Sequence, residues 1–455
     1  MIKALITFCR MIVGSLFIVS GMIKVNDAIG FSYKLEEYFS LKALGFPELI
    51  PYVLPIAIFI VVGEVLLGVA TLLGAWPKLT SSLILFMTLF FTWLTWYTWQ
   101  CDPYQIKTFV SPDGTTFQDT PECVLTCGCF GDALVLTPFQ SFLKDVFLLP
   151  FILPFFFASW MKKVPLNSLR EDLIIGGISV VLIGLAAVGI FDWFFPVVFT
   201  VLAMGAGVAA KVFSKGKEWV MAIVVLLVCS ITQYCTLYYL PLKDYRAYAI
   251  GQDIAYNMKT AEELGKEPTQ YMRYYTLKHT VTSEMKEVSQ DEFIAMYKDT
   301  TVVMSEWPIQ KELTRDVVVK KGYEPRILDF LALDMEGEDM KDSLLSLDRV
   351  FLLVAWNLEE ADEKAMKNAA AFVNAASKTG IPVFGFSTAD YDASETFRHE
   401  HQLGFPFLQG DEKVLKTMIR ANPGIMYLER GVVVNMWSGR GLPDFESANA
   451  GGFKP

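Results

Sequence analysis

Histidine is nearly missing from this chain, with three in 455 residues. A metal centre built on imidazole draws several such ligands into one neighbourhood, so a histidine-built site is excluded. Basic charge is also in deficit: 39 Lys and Arg stand against 49 Asp and Glu, a formal net charge of −10. Nucleic acid wants a basic face on its partner, and that class of function falls away. Cysteine is absent from everything after Pro241, about 215 residues, so that stretch has no thiol chemistry of its own.

Apolar residues, by contrast, are in excess. They make up 53% of the chain, with a mean hydropathy of +0.38, against about 45–50% in soluble domains. Almost all the excess precedes Pro241, and the rest of the chain has the composition of an ordinary charged globular protein. A shift of that size marks a domain boundary. Crossing a bilayer takes about 20 mostly apolar residues. Seven stretches qualify, at 4–24, 52–76, 79–99, 139–160, 173–191, 195–212 and 219–240. Each must be helical, because an unpaired backbone group in lipid costs several kcal/mol. Trp76, Trp99, Trp160, Trp193, Trp219 and Tyr238 gather at their ends, as interfacial belts require. The first stretch reads as a span rather than a cleaved signal, since Val19-Ser20-Gly21 is a poor cleavage site and Lys24 comes directly after it.

Cationic residues orient the bundle. Lys3 and Arg10, then Lys78, then Lys162, Lys163 and Arg170, then Lys211, Lys215 and Lys217 fall on one side if the N-terminus is cytoplasmic. The acidic connection at 101–137 then faces outward. So does everything after the seventh span, which in a Gram-negative cell is the periplasm.

Four of the seven cysteines, Cys101, Cys123, Cys127 and Cys129, sit in that one outward connection. Disulfides persist on that side of a membrane. Three pairings are open, and the sequence does not choose among them. Two structural staples are one reading. The other is a redox-active pair at Cys127-Gly128-Cys129, where so short a spacing makes an exchanging bridge. Zinc held by four thiolates suits a cytosolic site better. Cys229 and Cys235, six residues apart in the seventh span, lie on different helix faces and read as small buried hydrophobes.

Glu64 falls near the middle of the second span, in Val61-Val-Gly-Glu-Val-Leu-Leu-Gly. A lone charge there costs at least a few kcal/mol, so it must face the bundle and find a partner or a proton. Arg10, Lys24 and the pair Lys144/Asp145 are the candidates. Two readings stand: a buried structural ion pair, and a proton or quinone site.

The motif Phe17-Ile-Val-Ser-Gly-Met-Ile-Lys24-Val-Asn-Asp27 resembles the opening of DoxX-type membrane proteins, and Glu64 with Gly68 resembles their second span. Cys127-Gly-Cys-Phe-Gly-Asp132 followed by Leu136-Thr-Pro-Phe-Gln-Ser-Phe-Leu-Lys-Asp145 resembles the motif shared by the DoxX and MauE families. The resemblance covers about the first 160 residues. It implies a four-helix membrane core linked to thiol or sulfur redox chemistry, with Cys101, Cys123, Cys127 and Cys129 as catalytic candidates and Glu64 and Lys24 beside a quinone. The layout is similar to the DsbB and vitamin K epoxide reductase thiol oxidases, an analogy of architecture alone. The longer arrangement, with Leu240-Pro-Leu-Lys-Asp-Tyr-Arg246 leading into a soluble domain, resembles long-form DoxX proteins of the Bacteroidetes.

After the last span, residues 243–325 are mixed and β-leaning, with strand character in Tyr274-Tyr-Thr-Leu-Lys-His-Thr-Val. From Arg326 the pattern alternates. Arg349-Val-Phe-Leu-Leu-Val-Ala reads as a buried strand, 363–379 as helix, Ile381-Pro-Val-Phe-Gly-Phe-Ser387 as strand, 389–403 as helix, Phe405-Pro-Phe-Leu as strand and 413–420 as helix. A hairpin turning at Arg430-Gly431 closes the order. This is an α/β sheet with helices on its faces. It resembles a thioredoxin fold of the redoxin type, with Asn422-Pro423-Gly424 at the position of that fold's cis-proline. Where that family carries Trp-Cys-x-x-Cys, this chain has Trp356-Asn-Leu-Glu-Glu360. A domain of this kind binds a partner and does no thiol chemistry.

The expected architecture is therefore a membrane all-α part followed by a periplasmic α/β thioredoxin-like domain. Its divisions are a four-helix core at 1–160, three further spans at 161–242, a β-leaning linker at 243–325 and the thioredoxin-like domain at 326–455. Its surroundings are the lipid of the inner membrane and a periplasmic protein partner, with no nucleic acid. Two functions fit. In one, the loop cysteines exchange electrons with an exported thiol partner and a quinone. In the other, the chain is a non-enzymatic scaffold for an envelope complex and its disulfides are structural. Transport through a Glu64-lined path is weaker, for want of repeated halves or paired broken helices.

Overall fold

The structure is a computed structural model and describes residues 2–103, 105–124, 126, 128–299, 302–310 and 314–454. Seven helices are long and apolar enough to cross a membrane. They are α1 (Ile2–Asn26), α3 (Val53–Leu73, entered through a 3-10 turn at Pro47–Tyr52), α4 (Pro77–Gln100), α5 (Pro138–Trp160), α6 (Leu169–Gly189), α7 (Phe195–Phe213) and α8 (Glu218–Tyr238). Each falls on an expected span, with ends displaced by a few residues. Between the first and second spans lies α2 (Ala28–Phe39), an amphipathic helix that a search for 20-residue apolar runs passes over.

Close approach of α1 and α3 organises the bundle. Gly14, Gly21 and Gly68 lie in their contact, where a Cβ on Gly21 would come 2.6 Å from Val65 Cγ2 and one on Gly68 2.7 Å from Ile18 Cγ1. Small residues at such crossings let backbones approach. At the end away from the cysteine connection, Arg10 donates to the carbonyls of Thr71 (3.0 Å) and Leu72 (3.0 Å) and to Asn167 Oδ1 (2.9 Å). It therefore satisfies the last turn of α3 and is not the partner of Glu64.

The connection between α4 and α5 carries a small hairpin, β1 (Lys107–Val110) with β2 (Thr116–Asp119). It is pinned at its base by the disulfide Cys101–Cys123. At its exit, Thr137 and Gln140 form a reciprocal capping box at the start of α5, with Pro138 in the first helical turn.

Beyond α8 come α9 (Ile254–Met258) and an antiparallel sheet of β3 (Gln270–Lys278), β4 (Met285–Ser289) and β5 (Arg315–Lys320) in the order β4-β3-β5, with α10 (Gln290–Lys298) beside it. After α11 (Lys341–Leu345), five strands form one sheet: β6 (Val350–Val354), β7 (Val383–Ser387), β8 (Phe407–Gln409), β9 (Gly424–Glu429) and β10 (Val432–Ser438). Their order is β10-β9-β6-β7-β8; β6, β7 and β8 run parallel, and β9 is antiparallel to both its neighbours. The central strand β6 is buried throughout because its alternating side chains enter two cores. Val350, Leu352 and Val354 join Leu415 and Met418 of α14 (Glu412–Met418). Phe351 and Leu353 join α12 (Glu363–Lys378) and α13 (Tyr391–Glu400), with α15 (Phe445–Ala450) at the margin. The chain is thus a membrane all-α part followed by an α/β domain.

Candidate functional site

The site is built at the end of the bundle where α1 finishes. Glu64 and Lys24 meet across the α1–α3 contact, with Lys24 Nζ 2.5 Å from Glu64 Oε1 and both side chains at most 5% exposed. Of the candidate partners for Glu64, Lys24 is the one that the fold delivers. Lys144 instead pairs with its neighbour Asp145 at 2.6 Å. Ser20, one turn before Lys24, joins the pair into a chain: Lys24 Nζ donates to Ser20 Oγ (3.2 Å), and Ser20 Oγ donates to Glu64 Oε2 (3.1 Å). The rings of Phe31 and Phe91 lie 5.5 and 5.3 Å from Lys24 Nζ, which eases burial of the cation.

A cavity of about 600 Å³ opens beside this triad. Its walls are mostly apolar, and its polar members are Ser20, Lys24, Glu64, Thr88, Gln140, Lys144 and Asp145. Cys129 and Phe130 of the cysteine connection are among its lining residues. The carbonyl oxygen of Cys129 is 3.5 Å from Ser20 Oγ. Cys129 is buried and disulfide-bonded. Cys127 lies outside the described residues. Cys101 and Cys123 are bonded to each other, which leaves one of the three pairings open to the connection. Cys9, Cys229 and Cys235 are free thiols.

The connection is held over the cavity from two sides. Phe130 packs on Phe191 beyond α6, with ring centroids 5.6 Å apart. Gly128 has φ +69° and passes so close to α2 that a Cβ there would be 3.2 Å from Lys34 Cγ. The left-handed conformation and the tight passage both favour glycine.

The α/β domain reaches the same end of the bundle. Arg420, buried, grips Asp27 just after α1 through Nε (3.0 and 3.1 Å), and Asp132 of the cysteine connection through Nη2 (3.1 Å). Lys416 pairs with Glu36 of α2 at 3.2 Å. The amide of Asn26 binds both the N–H and the C=O of Lys243. Burial by itself would push the Asp27 carboxyl up; Arg420 and then Arg246 outweigh it and hold the carboxyl below its usual range. Burial likewise disfavours the Arg420 cation, and Asp27 and Asp132 outweigh that and raise its pKa.

Between α2 and the sheet lies a second cavity of about 480 Å³, lined by Tyr33, Trp356, Asn357, Lys416, Asn422 and Pro423 among others. The Asn422–Pro423 peptide is cis. Asn422 Nδ2 donates to the Asn357 carbonyl at 2.7 Å. Trp356 Nε1 and Asn422 Oδ1 are buried without a hydrogen-bond partner among the described residues.

Sequence reasoning singled out Lys24, Glu64 and the loop cysteines. It missed Ser20, Phe130 and Asp132 as members of the site, although all three stand inside the quoted motifs, and it missed Arg420, which no local pattern marks.

These features define a multi-pass membrane protein with an α/β domain docked at one end of its bundle. Within it, residues 2–104 match the family described as Methylamine utilisation protein MauE, so the first three spans, α2 and Cys101 are MauE-like. The match stops short of Cys123–Asp132 and of α5. No curated protein and no solved structure matches the chain.

Proposed function

We propose that this chain is an inner-membrane DoxX-type protein that exchanges disulfides with an exported thiol partner, with a quinone as the terminal acceptor. The observation that carries the reading is one cavity bordered both by the disulfide-bonded Cys129 and by the buried Lys24–Ser20–Glu64 chain. In this reading Cys127 and Cys129 are the exchanging pair and Cys101–Cys123 is the staple that fixes their connection. A thiolate of the partner attacks the loop disulfide, forming a mixed disulfide and releasing one loop thiol. The second partner thiol then displaces the other loop sulfur, so the partner leaves oxidised and the loop carries two thiols.

The cavity fits a quinone: its walls are mostly apolar, it is large enough for a substituted ring, and Ser20, Lys24 and Glu64 form one hydrogen-bonded cluster on its lining. Lys24 and Ser20 would hold the ring oxygens there. A bound quinone would supply an acceptor for two electrons and two protons. Lys24 donates to Glu64 through Nζ and to the Ser20 hydroxyl, so a proton can pass along the three groups without leaving the buried wall.

The α/β domain is then a thioredoxin-like module without CxxC that recruits the partner. Trp356 Nε1 and Asn422 Oδ1 supply an unmet donor and an unmet acceptor in the groove beside Pro423, the complement of a peptide group. With the N-terminus cytoplasmic, the cysteine connection and this domain share the periplasmic side. The ion pairs that join the two domains through the buried Arg420 suit the scaffold reading as well, and one experiment separates the two. Redox titration of the purified chain should place the Cys129 bridge within the range of known exchangers, and Cys127→Ser should leave exported proteins less oxidised. A bridge that resists reduction throughout that range, with exported thiols unaffected, overturns the redox reading and leaves the scaffold.

A further inference from the structure

We infer that α6 exists to frame a side entrance: with α5 it bounds a slot on α1 through which a lipid-soluble ligand passes from the bilayer into the cavity, its tail remaining in the slot. The redox reading enters only in naming that ligand a quinone with an apolar tail.

The slot arises from the packing. Helices α5 and α6 both pack on α1 but not appreciably on each other among the described residues. Most of α1 is consequently covered, and one stripe is not. Leu5, Phe8 and Leu16 are exposed by 55, 47 and 40%, while Ile12 and Ser20 on the same stripe are half-buried. Spacings of three and four residues put these five on one face. The stripe therefore runs from the lipid up to the Ser20 hydroxyl, which touches both Lys24 and Glu64.

The two helices that flank the stripe supply the cavity walls. Leu143, Phe147 and Leu148 come from α5, Ala186 from the last turn of α6, and Ile190 from the residue that caps it. Phe147 and Ile190 are 67 and 62% exposed, so they form a rim facing lipid rather than a sealed wall. Lys24 and Glu64, at most 5% exposed, lie behind that rim. A polar head is drawn to the triad, and an apolar tail finds its own kind of surface along Leu16 and Ile12. Phe191, just past α6, packs on Phe130. The same helix thus shapes the entrance and steadies the residue next to Cys129. Water has no comparable route along this face, because the stripe below Ser20 is wholly apolar.

The test is binding to the full chain in lipid nanodiscs, read by quenching of protein fluorescence. The probes are decylubiquinone, which has a ten-carbon tail, and 2,3-dimethoxy-5-methyl-1,4-benzoquinone, the same ring without the tail. Leu16→Trp fills the slot from α1, and Ile190→Trp fills it from α6. Both replace exposed side chains, and an unchanged melting temperature verifies the fold. Each variant should weaken decylubiquinone by about tenfold or more, through lost burial of the tail, and leave the tail-free probe within about twofold. Unchanged decylubiquinone binding in both variants overturns the entrance and leaves the quinone reading standing. Phospholipid retained through delipidation by the unsubstituted chain and lost in Leu16→Trp, with decylubiquinone unaffected, assigns the slot to a structural lipid and also overturns it. If the unsubstituted chain binds neither probe, the quinone reading fails and takes this inference with it.

Discussion

Lys24 and Glu64 face one another at a depth where a lone charge costs at least a few kcal/mol. Each is the reason the other is tolerated, and removing one leaves the remaining charge buried without its counter-ion. Lys24→Met or Glu64→Leu alone should therefore destabilise the detergent-solubilised protein by about 3–5 kcal/mol. Lys24→Met combined with Glu64→Leu should recover most of that loss, and comparing single and double variants by thermal unfolding checks the coupling. If the double variant is as unstable as the sum of the singles, the pair is not a unit. Asp27 makes a separate prediction. Arg420 and Arg246 hold its carboxyl below the usual range in the folded protein. The contribution of this ionised carboxylate is therefore complete above the unfolded value of about 3.9 and is lost as pH falls through the lower, folded value. Protection of residues 416–422 against hydrogen exchange, taken relative to the intrinsic rate at each pH, should hold from neutral pH to about pH 4 and fall below it. Asp27→Asn should lower that protection already at pH 7.

At the level of elements, α2 does the most to assemble the site and was the least legible. Twelve residues with Lys34, Glu36 and Glu37 among them fall below any span threshold, because their apolar stripe is satisfied only by the bundle end. One part of α2 supports Gly128, and another meets Lys416 and Tyr33's neighbour Trp356. Replacing Gly128 with Val sets a Cβ against Lys34 and forces φ +69° on a branched residue. That change should cost about 1–2 kcal/mol and hasten reduction of the Cys129 bridge by dithiothreitol; an unchanged rate would mean that the connection does not lean on α2. The cap of α5 was legible, since Thr137-Pro138 and Gln140 spell it locally. Thr137→Ala should lower stability by about 1 kcal/mol, read from the same thermal melts.

For the whole molecule, the geometry puts the cysteine connection and the α/β domain at one end of the bundle, joined through Arg420, Asp27 and Asp132. With the proposed orientation, a membrane-impermeant protease added to spheroplasts should cut within 243–325 from outside. Cleavage only after the membrane is breached would reverse the orientation. The sequence by itself determined the seven spans, the break near Pro241, the strands of the five-stranded sheet and the hairpin at Arg430-Gly431, because these arise from runs and periods that neighbouring residues carry. It also narrowed the partner of Glu64 to a short choice. Tertiary structure made that choice in favour of Lys24, paired Cys101 with Cys123, and brought Arg420 across 288 positions to Asp132. Contacts of that kind depend on which helix faces meet, and no local pattern encodes a meeting between residues so far apart along the chain.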